Sequence, residues 1–495
     1  MMYGEEKSDS LIVAANLANN PQGAESVERR SGAKGNAEQP HMRRTQSRES
    51  MSQRLSRVRE AAKQRKKERF TALFHLLTVE ALEAAFLSLS RKAAAGVDGI
   101  RWMDYAGNMK NNIADLHRRL HQGSYRAQPG RRHYIPKADG KQRPLGIASL
   151  EDKIVQYALV KILNAVYEND FMGFSYGFRP GRSQHNALDA LATGLVRTNV
   201  NWVLDADISQ FFDKVSHEWL IRFIEHRIGD QRVIRLIRKW LTAGTSEEGE
   251  WRASEEGTPQ GAVISPLLAN IYLHYVFDLW AHQWRRRHAT GNVVMVRYAD
   301  DIVIGFDKRI DAQCFRIAMQ RRLKEFGLTV HPKKTRLMEF GRFAAENRAS
   351  RGKGKPETFN FLGFTHISGK DRSGRFMLIR KTRRDRMTAT LKAIKDGLRK
   401  RWHYSIPEQG KWLRRVVQGY LNYHSVPGNY PMMRKFRIYV TDLWRRALRR
   451  RSQQDDTTWT KANRLAAVWL PKVRVLHPWP VERFTARHPR QEPGA

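Results

Sequence analysis

One cysteine, Cys314, stands in a chain of 495 residues. It permits no internal disulfide and no cysteine-built zinc site, and it suits a reducing cytoplasm. Long apolar runs are missing as well. No stretch approaches the roughly 18 consecutive apolar residues that cross a bilayer. The early run from Leu11 to Ala18 is short and follows Glu5, Glu6 and Asp9, which is wrong for a secretory leader. Acidic residues are scarce: 49 Asp and Glu face 89 Lys and Arg, a formal net charge of +40. That imbalance is too large for an ordinary soluble enzyme and predicts a polyanionic partner, nucleic acid ahead of a membrane surface. The length allows two to four domains.

What is present centres on Asn292 to Phe306, NVVMVRYADDIVIGF. Two runs of Val, Ile and Met around Tyr298-Ala299-Asp300-Asp301 predict a buried hairpin with the two aspartates at its tip. Asp suits a turn on its own account. Two adjacent carboxylates against apolar strands, however, repel each other unless a cation neutralises them, and a divalent metal does that. A further carboxylate is available in Trp202 to Phe212, WVLDADISQFF, where strand alternation puts Asp205 and Asp207 on one face. Phe211 and Phe212 follow directly and suit core packing equally well.

The remaining pieces follow in order. Residues 1–50 are polar and weakly periodic and read as disordered. From Met51 the pattern is helical and basic; residues 41–70 hold 11 basic and 3 acidic side chains, which points to RNA contact through Arg54, Arg57 and Lys66. Gly96-Val97-Asp98-Gly99 signals a turn. Tyr134 to Ile147 reads as a strand, a basic turn at Asp139-Gly140 and a second strand beginning at Arg143, a hairpin whose cations suit a triphosphate. Ser149 to Asn164 reads as an amphipathic helix. Ser175 to Arg182, with Arg179 and Arg182, is a loop entering another helix. Gly257-Thr258-Pro259-Gln260-Gly261 is a loop whose glycines admit close backbone approach. An apolar helix with Pro266 near its start follows. Ala312 to Phe326 is helical, and Phe359 to Phe364 reads as one strand. From Asp371 onward 30 Lys and Arg face 9 Asp and Glu, in helices that also carry Trp402, Trp412, Tyr420, Tyr423, Phe436 and Trp444. Most of these aromatics suit a core, while the charge, including Arg414, Arg415 and Arg434, suits phosphates.

Taken together, these motifs resemble the reverse transcriptases encoded by bacterial group II introns, which also act as maturases. Asp207, GTPQG at 257–261, YADD at 298–301, Lys334 and FLGF at 361–364 follow that family's palm order and spacing. IPKADGKQRPLGI resembles its fingers, and GYLNY with VPGN, from 419 to 429, its thumb or X region. YADD alone is modestly specific; the ordered set is far more so.

The resemblance implies an α+β right-hand polymerase fold. Its divisions would be a disordered segment (1–50), an N-terminal extension and fingers (51–200), palm (201–365), helical thumb (366–452) and a basic tail (453–495) that is a candidate DNA-binding segment. It implies RNA-directed DNA synthesis with two Mg²⁺ ions, Mn²⁺ being a substitute, held by Asp207, Asp300, Asp301 and the Ile208 carbonyl. Lys137 and Arg143 would grip the triphosphate, Phe212 or Phe211 would lie under the sugar, and Gln260 and Gly261 would line the nucleotide and template site. Lys334 would donate a proton to pyrophosphate, and Asp205 would be structural. Partners would be group II intron RNA in a ribonucleoprotein, a DNA target or primer, and dNTPs. No membrane is implied. The setting would be the bacterial cytoplasm, or the nucleoid when on DNA. With one cysteine, the zinc-binding endonuclease of many relatives is expected to be missing, so that mobility would need a primer made elsewhere. Two alternatives stand beside this reading: a domesticated reverse transcriptase in phage defence or CRISPR adaptation, and a non-catalytic RNA-splicing chaperone.

Overall fold

The computed structural model describes residues 40–136, 142–247, 249–451 and 457–487, with side chains from residue 51 onward. It has the α+β right-hand organisation that the sequence predicts. The chain enters through helix Pro40–Gln64, so residues 40–50 belong to that helix rather than to a disordered segment; residues 1–39 lie outside the described residues.

Strands β1 (Gly130–Pro136) and β2 (Gln142–Ile147) form the fingers hairpin. Its turn, with Lys137, Asp139 and Gly140, lies outside the described residues. Helix Leu150–Tyr167 follows, capped by the Ser149 hydroxyl, which accepts from the Asp152 backbone N–H at 3.2 Å. The helix is buried on several faces at once (Ile154, Val155, Ala158, Leu159, Ile162), so it is a central core helix rather than an amphipathic surface one.

The palm sheet begins with β3 (Trp202–Asp207). The chain then returns to the fingers as β4 (Thr245–Glu247) and β5 (Glu250–Arg252), which extend the hairpin in the order β2-β1-β4-β5. Back in the palm, β6 (Val293–Tyr298), β7 (Asp301–Phe306) and β8 (Arg336–Glu339) complete an antiparallel sheet of order β6-β7-β3-β8. Val293, Met295, Ile302, Ile304 and Phe306 face one core together with Phe211 and Tyr272. Val294, Val296 and Val303 face a second, closed by Leu188 and Leu191 of helix Gln184–Arg197 and by Phe340, Phe359 and Phe364. Burial on both faces explains why this stretch reads as continuous apolar runs rather than an alternating pattern. It also moves helix Gln184–Arg197 from the fingers, where sequence placed it, to the palm, and β4 and β5 from the palm to the fingers.

Strands β9 (Phe359–Phe361), β10 (Phe364–Lys370) and β11 (Phe376–Thr382) lead to the thumb. Leu362 and Gly363 have φ of 44° and 79°, so FLGF spans a turn between two strands and is not one strand. Thumb helices Arg384–Arg399, Ile406–His424, Tyr430–Arg449 and Trp459–Trp469 enclose a third core of Ile394, Leu413, Phe436 and Trp444. Tyr420 stacks on Phe436 there, with ring centroids 3.7 Å apart. The GYLNY and VPGN motifs form the palm–thumb joint. The Tyr423 hydroxyl donates to the Leu362 carbonyl at 2.8 Å, and the buried Asn429 amide donates to Thr382 Oγ1 at 2.8 Å and to the His424 carbonyl at 2.7 Å. The C-terminal helix Pro480–Arg487 returns to the palm, where Phe484 enters the second core and Arg483 pairs with Asp189. Phe484 and Arg483 of the tail are thus engaged in protein contacts. Residues 452–456 and 488–495 lie outside the described residues.

Beneath the β6–β7 turn lies a wholly buried ion pair. The Arg297 guanidinium donates to the two Asp278 carboxylate oxygens at 2.7 and 2.5 Å, to Ser175 Oγ at 2.7 Å and to the Ala299 carbonyl at 3.0 Å. Asp278 comes from a five-residue π-helical turn, His274–Asp278, inside the long helical run from Ser265 to His288. Removing one partner leaves the other charged and unsolvated. Arg297→Met is therefore expected to cost about 3–5 kcal/mol, read as a lower denaturation midpoint, with Arg297→Met/Asp278→Leu recovering much of it. A single variant as stable as wild type would contradict this account of the turn's support.

Candidate active site at the palm turn

Strand register brings the carboxylates together. Asp207 at the end of β3 is the direct antiparallel partner of Asp301 at the start of β7, and Asp205 is the partner of Val303 on β7 and of Arg336 on β8. Opposed residues in such a pair have Cβ atoms roughly 4.5–5.5 Å apart. Asp300 sits in the two-residue turn with Ala299, whose φ is +56°. A non-glycine residue in the left-handed region costs roughly 1–3 kcal/mol, so the turn is held from below. Arg297 binds the Ala299 carbonyl, Tyr176 N–H donates to the Arg297 carbonyl at 2.8 Å, and Asn270 Nδ2 donates to the Gly177 carbonyl at 2.7 Å. Gly177 is required by space: a Cβ there would lie 2.3 Å from the Ala299 nitrogen.

The electrostatics of the cluster are unfavourable without a cation. Burial, and then the neighbouring carboxylates of Asp300 and Asp207, push Asp301 up to about 6, although the residue keeps solvent access at the strand end. Burial also raises Asp300, with Asp207 adding to the shift and Arg143 and Lys334 pulling against it. Asp205 reaches about 7, chiefly through burial, despite Arg336 at 3.9 Å. The Lys334 ammonium lies 2.9 Å from Asp207 Oδ2. Among the described residues no three acidic, His or Cys side chains are already closed into a ligating cluster. The donor set nevertheless suits a hard divalent cation, being all oxygen and short of positive charge. The bonds flanking Ile208 run from Ser209 N–H to the Thr329 carbonyl and from His331 N–H to the Asp207 carbonyl, so the Ile208 carbonyl takes no part in them.

The other expected site residues divide clearly. Phe211 is buried in the first core, while Phe212 is half-buried beside it, so Phe212 is the aromatic candidate for the sugar position. Arg143 is exposed on β2, and Gln260 and Gly261 are pinned to the fingers by the Gly146 N–H, which donates to the Gln260 carbonyl at 2.7 Å. Arg54, Arg57, Lys66, Arg414, Arg415 and Arg434 are exposed. Arg179 and Arg182 are not available to RNA. The Arg179 side chain is buried and paired with Glu168 at 3.0 Å; Arg182 donates to the Gly173 carbonyl at 2.6 Å and covers the Tyr176 ring. Both brace the loop that supports the turn. Sequence reasoning missed Arg297, Asp278 and Asn270, and also Arg383, close enough to lower both Asp205 and Asp301. No spacing signal marks them, because their partners come from distant segments.

Residues 135–366 match the family model described as reverse transcriptase (RNA-dependent DNA polymerase). The chain is similar to the group II intron-encoded protein LtrA of Lactococcus lactis, 37% identical over 222 residues, 44% of this chain and 37% of that protein. Residues 135–366 thus form a reverse transcriptase domain similar to that of group II intron-encoded proteins. Protein YkfC of Escherichia coli is 42% identical over 206 residues, 41% of this chain and 54% of that relative. A putative COX1/OXI3 intron 1 protein of Saccharomyces cerevisiae is 26% identical over 412 residues, 70% of this chain and 48% of that protein. The matched stretches thus span about half or less of these relatives' lengths. The reverse transcriptase domain implies a divalent-metal-dependent polymerase and contains all of the carboxylates described above.

The raised pKa of Asp301 has a consequence for stability. A carboxyl whose folded pKa lies above its unfolded one contributes stability in acid that is lost as pH rises through the folded value, here about 6. Asp301→Asn removes that loss. In chelator, its thermal midpoint is expected to exceed wild type at pH 8 and to match it below about pH 4, measured by scanning calorimetry. Equal midpoints at pH 8 would show that the carboxylate is not destabilised by the stated burial and repulsion.

Proposed function

We propose that the protein is an RNA-directed DNA polymerase that copies intron RNA into cDNA and binds the same RNA to assist its splicing and retrohoming. The observation that carries this reading is the register pairing of Asp207 with Asp301, beside Asp300, at the one edge of the palm that also receives Lys334 and the influence of Arg143. Asp207, Asp300, Asp301 and the Ile208 carbonyl would hold two Mg²⁺ ions, with Mn²⁺ as a substitute. Such a pair activates a primer 3′-hydroxyl and neutralises the departing pyrophosphate.

The protein's own groups do the positioning. Arg143 would offer a guanidinium fork to the triphosphate, with Lys137, on the other side of the hairpin turn in sequence, as a second cation. Phe212 would offer a flat apolar surface under the sugar and so exclude a 2′-hydroxyl. Gln260 and Gly261 give an amide and open backbone to the nucleotide and template. Lys334, freed from Asp207 once a metal takes that carboxylate, would give its proton to pyrophosphate. The exposed Arg54, Arg57, Lys66, Arg414, Arg415 and Arg434 would bind intron RNA by its phosphates, forming a ribonucleoprotein. The protein would work in the bacterial cytoplasm, and on the nucleoid when engaged with a DNA target or primer. A chaperone that only binds RNA would gain nothing from carboxylates held against burial beside a polyanion, which disfavours that alternative.

Asp300→Ala or Asp301→Ala is expected to abolish primer extension on an RNA template while RNA affinity stays near wild type. Extension surviving both changes would reject the assignment. RNA affinity is also expected to fall linearly on a log–log plot against salt, by about 0.7 per phosphate contacted for single strands. A flat response would remove the basic surface from the account.

A further inference from the structure

Gln260 is held by more than its own loop. The 257–261 loop is stitched to the turn that follows β3: Gly257 N–H donates to the Val215 carbonyl at 2.8 Å and Thr258 N–H to the Phe212 carbonyl at 2.7 Å. His217 Nε2 lies 2.6 Å from the Gly257 carbonyl. Gly257 itself has φ of +85°, and a Cβ there would meet the Phe212 carbonyl at 2.8 Å, so the two segments are in backbone contact. On its other side the loop joins β2 of the fingers, through the Gly146 N–H at 2.7 Å from the Gln260 carbonyl. A further side-chain bond closes this arrangement. Gln260 Nε2 donates to Asp213 Oδ1 at 2.8 Å, and among the described residues this is the partner recorded for the Asp213 carboxylate.

An ionised carboxylate accepts and cannot donate. Asp213 therefore selects the NH₂ end of the Gln260 amide and turns the amide oxygen the other way. Asp213 is also the last residue of the short 3₁₀ turn Phe211–Asp213, which carries Phe212, and its N–H donates to the Gln210 carbonyl at 2.9 Å. The same turn thus sets both the aromatic ring and the orientation of the amide.

We propose that Asp213 is a positioning residue for the incoming nucleotide: it fixes which end of the Gln260 amide meets the substrate and locks that amide to the Phe212 turn. Asp213 touches no reacting atom in this account. It acts through Gln260, and the inference rests on the polymerase reading above.

The test is steady-state primer extension on an RNA template by the full chain, with dNTP varied. Asp213→Ala is expected to raise KM for dNTP about fivefold, the size of one lost hydrogen bond, with kcat within about twofold. Asp213→Asn keeps an acceptor oxygen at the same place and is expected to restore KM. In a Gln260→Ala background, Asp213→Ala is expected to add nothing, because the two act as one unit. Discrimination against ribonucleotides should weaken in Asp213→Ala while RNA affinity and thermal midpoint stay put. An active wild type with unchanged KM in Asp213→Ala, or additive losses in the double variant, would overturn the tether and leave the polymerase assignment standing. A wild type that extends no primer, like Asp300→Ala, would overturn the assignment and the tether with it.

Discussion

The palm turn depends on a charge that never meets water. Arg297 sits inside the protein with its guanidinium divided among Asp278, Ser175, Asn270 and the Ala299 carbonyl. Three separate segments are thereby drawn to one point: the loop before helix Gln184–Arg197, the helical run from Ser265 with its π-helical turn, and strand β6. A fork of five donors in fixed geometry can do this where a lysine cannot. The left-handed Ala299 and the close approach of Gly177 are possible because this network over-determines the turn. Everything chemical in the palm is then placed by strand register, which depends on that turn.

The same region shows function set against stability. Asp205, Asp300 and Asp301 all carry carboxyl groups raised by burial and crowding, while Lys334 and Arg383 offset only part of the repulsion. A sequence optimised for folding alone would neutralise one of them. The continuous apolar packing of β6 and β7 between two cores supplies rigidity beneath this strained rim, so the repulsion does not open the sheet.

Much of this was legible in the sequence, for reasons that can be stated. The β6–β7 hairpin, the β3 aspartates and the fingers hairpin are local signals: short periodic runs broken by polar residues. Ser149 and Pro266 mark helix starts by rules that act within one turn. What failed was non-local. Arg179 and Arg182 look like any loop arginines, and only the fold reveals Glu168 and the Gly173 carbonyl beside them. Phe211 and Phe212 are chemically alike, and only the short turn starting at Gln210, with φ of +47°, separates the buried ring from the half-buried one. FLGF hides a turn because Leu362 adopts a backbone conformation that its identity does not announce. Segment boundaries slipped where an element crossed from one layer to another, as with β4, β5 and helix Gln184–Arg197.

The helix Pro480–Arg487 gives the thumb an unusual mechanical character. At its near end the thumb is fastened to the palm by Tyr423, and past its last core helix the chain comes home to the palm through Phe484 and Arg483. A lever pinned at one end swings freely; a segment fastened at both ends behaves as a closed strap. Rocking about the line between the two fastenings remains open to it, whereas wide opening would require Arg483 to leave Asp189 and Phe484 to leave the core. Sequence at the far end of the chain therefore bears on how far the thumb can move, well away from the palm carboxylates.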